Sequence, residues 1–544
     1  MARIVRIYRA RAIFRRIFGV TAVEQQVATV PALLRARAST HPDMELLVTP
    51  TARLTYEQAE QRSSDVAKRM LTEGIGKNAR VGVMFPNAPD WIVSWLAATR
   101  IGALAIPVST YHQAPELART LRHADVQLLL MTPRHLNHDY VDRLERVDPV
   151  LERSAAGRLF LPALPYLRDV WTYTPGGRTW TRTVADVPID ERVDDRLLRE
   201  VESEVSAADP ATVIYTSGST AAPKGVVHSH GALVRHSRRV GWLAHGIVQG
   251  DRIYTPNPFF WIGGLSSVLL AALHAGATVL CEPRFDPAAT LEFLERERAT
   301  QFLGQRHARA ALLTHPTYAA RDLRSMRSFV STTSLGMTET CGGHTAASPR
   351  AGRGGPWADG SFGAPLPGVE HRIVQVGSLE PVRDGEPGEI CVRGEDVCVG
   401  MLKRERSDVF DADGWYHTGD LGSIDDGELF FTGRLSDTLK SSGMNVSPRE
   451  VELAIESMDE VQQAVVVGIP HPDRGQDVAA AVVRASGTVL DAQRVLDQLR
   501  PVLSSFKLPR HVAFFDRDEL PVLGNGKVDR KALAELLVHC GEGR

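Results

Sequence analysis

Cysteine is sparse in this 544-residue sequence: Cys281, Cys341, Cys391, Cys398 and Cys540 are scattered with no C-x-x-C pair. That excludes a disulfide framework and a cysteine-based zinc site, and it fits a reducing compartment. An excess of one charge is also lacking. With a formal net charge of −2 no global field draws the chain to nucleic acid or an acidic surface, so any anion must be held by a local site. Uninterrupted apolar runs are missing too. The two longest stretches, 91–108 and 263–281, are broken by Arg100 and His274 and are rich in Gly, Ala and Ser, so buried elements are expected and a transmembrane helix is not. No repeat or low-complexity tract is visible, and 43% hydrophobic residues in a chain of this length support more than one folding unit.

The start of the chain departs from the charge balance. Residues 1–18 carry Arg3, Arg6, Arg9, Arg11, Arg15 and Arg16 and no acid, interleaved with Ile, Val, Tyr and Phe at near-helical spacing. A basic N-terminal arm, 1–19, could lie on an anionic membrane surface; the blander readings are a frayed basic tail or an upstream start codon. A cleaved secretory signal is not expected, because no apolar core with a small-residue cleavage site follows. The expected location is the cytoplasm, with the arm as a peripheral contact at the inner membrane surface.

Strand-length apolar runs alternate with helical patterns: a strand at 80–85, a helix over 90–101, a strand at 103–108, a helix near 116–123 and a strand at 126–131. Such alternation predicts an α/β fold with layered parallel sheets. From Val376 the texture changes to short strands with Gly and Asp turns (388–394, 425–434), which predicts a small β-rich subdomain. After Arg434 a helix (447–458), strands (461–469, 479–484), a helix (491–503) and a strand (511–516) predict a compact α+β unit. The expected domains are therefore 20–434 and a small mobile C-terminal domain, 435–544, with a hinge around 434–437.

The strongest local signal is ATVIYTSGSTAAPKGVVHSH (211–230), a strand running into TSGSTAAPKG. Gly218 and Gly225 permit unusual backbone angles, and the hydroxyls with exposed amides can wrap an anion, which is phosphate-binding chemistry. Lys224 follows Pro223 and precedes Gly225, so the Walker pattern is not met. TSGSTAAPKG resembles the phosphate loop of the adenylate-forming superfamily, the acyl-CoA synthetases, aryl-CoA ligases, luciferases and peptide-synthetase adenylation domains. Further motifs match in the same order: SLGMTET (334–340), GWYHTGD (414–420), GRLSDTLKSSGMNVSPREVE (433–452) and LPVLGNGKVDRKAL (520–533). Of only eight lysines, Lys224, Lys440 and Lys527 fall at motif positions.

The resemblance implies that a carboxylate attacks the α-phosphorus of ATP, pyrophosphate leaves, and a thiol then displaces AMP from the acyl-adenylate. Positioning and charge stabilisation are the protein's task in the first step. It further implies that Thr216, Ser217, Gly218, Ser219, Thr220 and Lys224 hold the β- and γ-phosphates, Thr338 contacts the α-phosphate, and Glu339 ligates Mg²⁺. Asp420 and Arg434 would reach the ribose. Lys527 would bridge the α-phosphate and the carboxylate oxygen. In the second half-reaction Lys440 and the Ser441-Ser442-Gly443 loop would line the thiol channel, after the C-terminal domain turns about a hinge near Ser436.

Two departures bear on the substrates. The segment 323–340 runs directly from LRS to GMTE without the turn, helix and strand that relatives place there, and Leu335 stands where the family has a stacking tyrosine, so the adenine wall must come from other residues, Ser331 to Ser334 being nearest. PFFWIGGLS (258–266) resembles the family's aromatic gate and glycine pair, which would put Trp261, Gly263 and Gly264 at the acyl pocket; with no Asp to pair an amine, an amino acid substrate is disfavoured. FLGQRHAR (302–309) puts Gln305, Arg306 and His307 near it. The expected activity is an ATP- and Mg²⁺-dependent acyl-CoA synthetase acting on a hydrophobic acid, foremost a fatty acid, with coenzyme A as acceptor. The rivals are an acyl-AMP ligase serving a carrier protein and a catalytically silent acyl- or nucleotide-binding homologue. No carrier domain is expected after Lys527, and nothing in the sequence sets an oligomeric state.

Overall fold

The computed structural model describes residues 27–216, 224–331, 334–346, 361–435, 439–446, 448–522 and 528–541. The basic arm lies outside them. The expected α/β architecture is present as two sheets with helices between and outside them, a smaller antiparallel sheet, and a C-terminal α+β unit.

The eight-stranded sheet has the spatial order Gly400–Met401, Lys224–Ser229, Pro210–Thr216, Leu104–Pro107, Arg80–Met84, Leu128–Met131, Asp169–Thr172 and Arg182–Thr183. Its central strands pair in parallel; the two pairs made by Lys224–Ser229 are antiparallel. The side-chain period of two explains why its apolar runs are nearly continuous. Leu128 and Leu130 join the core between the sheets, while Leu129 and Met131 join a second cluster with Leu117, Leu121 and Leu144 on the outer face.

Helix Pro89–Arg100 fills the space between this sheet and a six-stranded one containing Glu45–Val48, Arg252–Tyr254, Thr278–Leu280 and Gln301–Gly304. Every residue from Trp91 to Arg100 is buried. Pro89 starts the helix with its fixed φ, and Asp90 in the first turn and Arg100 in the last complement the helix dipole. Arg100 is tolerated in the core because Glu60 and Glu202 both accept from its guanidinium, at 2.7 and 2.5 Å. The stretch that breaks an apolar run in the sequence is thus a buried ion pair, and among the described residues no helix is long and apolar enough to cross a membrane.

The antiparallel sheet of Val369–Val374, Gly388–Gly394, Tyr416–Asp425 and Glu428–Arg434 forms the β-rich subdomain. It ends at Arg434, and the C-terminal sheet begins with Leu439–Ser441. There Val461–His471 pairs with Gly475–Arg484, and His511–Phe515 runs parallel to the latter. Alternation again builds two cores. Val466, Ala480 and Val482 pack under helices Pro448–Glu456 and Ala492–Leu499, whereas Val465, Val467 and Ala481 pack against Leu533 and Leu537 of helix Arg530–Gly541.

Candidate active site

A cavity of about 880 Å³ lies where the eight-stranded sheet, the β-rich subdomain and the C-terminal unit meet, within the range typical of ligand pockets. On one side are the two ends of the TSGSTAAPKG segment. Thr216 closes one strand directly opposite Lys224, which opens the next, and both line the cavity. Gly225 follows because a Cβ there would sit 3.0 Å from Val213 across the hairpin. Ser217, Gly218, Ser219 and Thr220 lie outside the described residues.

Thr338 and Glu339 line the cavity beside them, on the short 3₁₀ turn Thr338–Thr340. Thr340 ties that turn by donating its hydroxyl to the Gly342 carbonyl at 2.7 Å. Glu339 is nearly buried, and the Tyr416 hydroxyl donates to its Oε1 at 3.1 Å. Burial, reinforced by the Glu339 charge, pushes the Tyr416 phenol well above its ordinary value, so it stays protonated and remains a donor.

The GWYHTGD segment forms the next wall. Glu389 accepts from the Gly419 amide at 3.1 Å and faces the His417 Nδ1 at 3.0 Å, while Thr418 donates to the Ile390 carbonyl at 2.6 Å. Thr418 and Gly419 reach the cavity; Asp420 sits buried just behind them, its amide bonded to the Thr418 hydroxyl at 3.0 Å. Arg434 is its register partner across the sheet, with a side chain outside the described set.

Val240, His245, Val268, Leu303 and Gly343 also line the cavity. Trp261, Ile262 and Gly263 line it too, and Trp261 meets Phe260 edge-on with ring centroids 5.9 Å apart. Gly263 faces open space. Gly264 does not line the cavity; a Cβ there would lie 2.2 Å from the Pro258 carbonyl oxygen, so that glycine serves the turn beneath Trp261. Leu335, at the tyrosine position, is turned away into the core with Phe362 and Val392. Its neighbour Ser334 does line the cavity and bonds the Thr345 carbonyl at 2.7 Å, whereas 332–333 and the Ser331 side chain lie outside the described set.

The floor depends on residues that no local motif marks. His236 is fully buried, with Nε2 2.9 Å from the Gly343 carbonyl and Nδ1 2.7 Å from the Ser266 hydroxyl. A carbonyl only accepts, so Nε2 carries the proton and Nδ1 accepts from Ser266. Burial holds this imidazole at about 4, hence neutral.

The C-terminal unit closes the cavity with the hairpin Leu439–Ser441/Met444–Val446. Its two-residue turn, Ser442 and Gly443, has φ of 53° and 78°, the left-handed pair that such a hairpin requires. Lys440, Gly443 and Met444 line the cavity, and the tip of the turn presses on Gln305 of the large domain, whose Cδ would lie 2.6 Å from a Cβ at Gly443. The side chains of Arg306 and His307, and Lys527 with its loop 523–527, lie outside the described set. Of the sequence-predicted residues, the structure gathers Thr216, Lys224, Trp261, Gly263, Thr338, Glu339, Lys440 and Gly443 around one space, with Asp420 one layer behind.

The family model described as AMP-binding enzyme matches residues 34–335 and 330–402, and that of the AMP-binding enzyme C-terminal domain matches 450–527. A (7a-methyl-1,5-dioxo-octahydro-inden-4-yl)propanoyl:CoA ligase of Mycobacterium tuberculosis is 31% identical over 93% of this chain and 99% of its own length. A long-chain-fatty-acid–CoA ligase of Bacillus subtilis is 28% identical over 93% of this chain and 94% of its own. Among solved structures, the amide bond synthetase McbA from Marinactinospora thermotolerans has a TM-score of 0.77 at 26% identity, covering 93% of this chain and 99% of that one.

Proposed function

The chain belongs to the AMP-binding enzyme family and is an adenylate-forming acid–thiol ligase, and from that premise we propose that it activates a hydrophobic carboxylic acid, foremost a fatty acid, and passes it to coenzyme A. The observation that carries this reading is the single cavity in which Thr216, Lys224, Thr338 and Glu339 face Lys440 and Gly443. Phosphate-type and thiol-type chemistry need a common meeting point, and this space supplies one.

In the proposed first step the acid's carboxylate oxygen attacks the α-phosphorus of ATP and the bond to pyrophosphate breaks. Lys224 and the hydroxyls from Thr216 to Thr220 hold the leaving phosphates, Thr338 steadies the α-phosphate, and Asp420 with Arg434 fixes the ribose. Glu339 suits Mg²⁺, since that ion takes one or two carboxylates together with phosphate oxygens and water, and here one buried carboxylate stands beside the phosphate wall. When bound, the ion spreads the charge of the phosphates. The apolar walls Val240, Ile262, Val268 and Leu303 favour an acid with a hydrocarbon body.

Lys527 would stabilise the charge of this step from the C-terminal domain, and Lys440 would serve the second. The two roles imply different domain arrangements. Leu520 and Val528 pack on the sheet face that carries helix Arg530–Gly541, while the opposite face, with Glu450 and Lys507, meets the large domain. We read the arrangement in which Lys440 and Gly443 line the cavity as that of the thiol step, with adenylation then requiring the domain to turn about a hinge after Arg434.

The test is pyrophosphate release with ATP and Mg²⁺ over fatty, aryl and steroid acids, each with and without coenzyme A. Acid-dependent release that is best with fatty acids, with acyl-CoA formed only when coenzyme A is present, is the expected result. Release with no acid at all would overturn the reading, and release without thioester would move the acceptor to the thiol of a carrier protein.

A further inference from the structure

The C-terminal unit is fastened to the large domain by a small buried cluster of charges at the cavity rim. Glu116, at the start of helix Ala114–His123, accepts from Lys507 Nζ at 2.8 Å through Oε1 and from the Ser504 hydroxyl at 2.9 Å through Oε2. Lys507 also donates to Glu450 of its own domain at 3.0 Å. Glu116 is 4% exposed, Lys507 7%, Glu450 9% and Ser504 fully buried. Beside it, Phe506 meets Tyr111 of the large domain edge-on, with centroids 6.3 Å apart.

From this arrangement, and resting on the two-step reading above, we infer that Glu116 and Lys507 form a reversible domain latch that selects the thiol-transfer arrangement. They are positioning residues, acting through the hairpin that carries Lys440 and Gly443.

Three features support a latch over a permanent bond. First, each half keeps a partner when the two separate. The Gln113 amide donates to Glu116 Oε2 at 2.9 Å as part of a helix capping box, and Lys507 retains Glu450. Neither ion is stranded on opening. Second, the charges nearly cancel when the halves meet: two carboxylates face Lys507, and Arg119 of the large domain comes within 3.8 Å of Glu450. Burial works against ionisation of both Glu116 and Lys507, yet their mutual attraction outweighs it and holds each in its charged form. A buried pair of this kind adds little net stability over an apolar contact, so it fixes which surfaces meet and still lets them part. Third, the latch is coupled to the hairpin. The turn Ser505–Lys507 packs on strand Met444–Val446, so seating Lys507 on Glu116 also seats Gly443 on Gln305.

The test separates the two half-reactions and reads the arrangement independently of turnover. Adenylation is measured as acid-dependent ATP–pyrophosphate exchange, and transfer as the single-turnover decay of preformed acyl-adenylate on adding coenzyme A. In Glu116→Gln the amide can still accept from Gln113, so the helix start is kept and only the charge is lost. Transfer is expected to slow by about tenfold or more while exchange is unchanged or faster. Lys507→Met should do the same, and the double variant should be no slower than the worse single one. Spin labels at the exposed Arg168 and Gln493 report the domain distance, which should shift and broaden in Glu116→Gln. A variant with an unchanged distance distribution, or one in which both half-reactions fall equally, would overturn the latch. Absence of exchange in the unmodified protein would instead count against the proposed function and leave the distance measurement to decide the latch.

Discussion

At the scale of single residues, Glu339 shows how a charge can be separated from the shape it occupies. Its carboxylate is almost out of water, yet it accepts from a phenol that burial keeps protonated, 3.1 Å away. Glu339→Gln leaves an oxygen to accept from Tyr416 and removes only the charge. If that charge serves the phosphate side of the cavity, pyrophosphate release should fall by about a hundredfold or more while the melting temperature stays level or rises, since a buried charge has been relieved. Retained Mg²⁺-dependent release would remove Glu339 from the site. This residue was legible in the sequence because MTET is a short, chemically distinctive string. Leu335, four residues earlier, was legible only as a substitution: that it packs in the core with Phe362 depends on a residue 27 positions away and has no local signature.

At the scale of elements, the hairpin around Gly443 combines two constraints that a single methyl group would violate. Its φ of 78° is costly for any residue with a Cβ, by about 1–2 kcal/mol, and that Cβ would lie 2.6 Å from Gln305 Cδ. Gly443→Ala should therefore weaken docking of the hairpin and slow thioester formation. Shortening the opposing side chain in Gly443→Ala/Gln305→Ala should recover the part due to the clash and leave the part due to the backbone. Recovery of nothing, with thioester formation read by single turnover, would mean that this contact is absent from the productive arrangement. Most elements were readable beforehand, because alternation and apolar run length report which faces are covered: the runs at 80–85 and 461–469 are the strands Arg80–Met84 and Val461–His471. The partners of those strands were less readable. The antiparallel pairing of Pro210–Thr216 with Lys224–Ser229, beside the parallel central strands, follows from the length of the intervening loop and not from any pattern within either strand.

At the scale of the whole molecule, chain order conceals what folding assembles. Glu116 and Lys507 are 391 residues apart and His236 and Gly343 are 107 apart, and neither pair is marked by spacing, so no periodicity could have joined them. The buried histidines carry a consequence for the fold as a unit. Burial lowers His236, His245 and His371 to about 4 and His228 and His274 to about 3, against an ordinary value near 6.5. A lowered imidazole is neutral in the folded state and takes up its proton on unfolding, so its contribution to stability is complete above pH 6.5 and is lost as the pH falls toward 4. For one such histidine the loss is at most about 1.4 kcal/mol per pH unit in that window, and several act together. The melting temperature should therefore drop steeply between pH 7 and pH 5, a range in which carboxylates of ordinary value change little. His236→Gln keeps a side-chain amide to meet the Gly343 carbonyl but cannot titrate. Its melting temperature should be lower at pH 7, because the floor of the cavity is perturbed, but should fall less steeply toward pH 5 than that of the unmodified chain. Parallel pH profiles for the two proteins would show that His236 binds its proton equally well in the folded and unfolded chains, and so that burial does not hold it neutral.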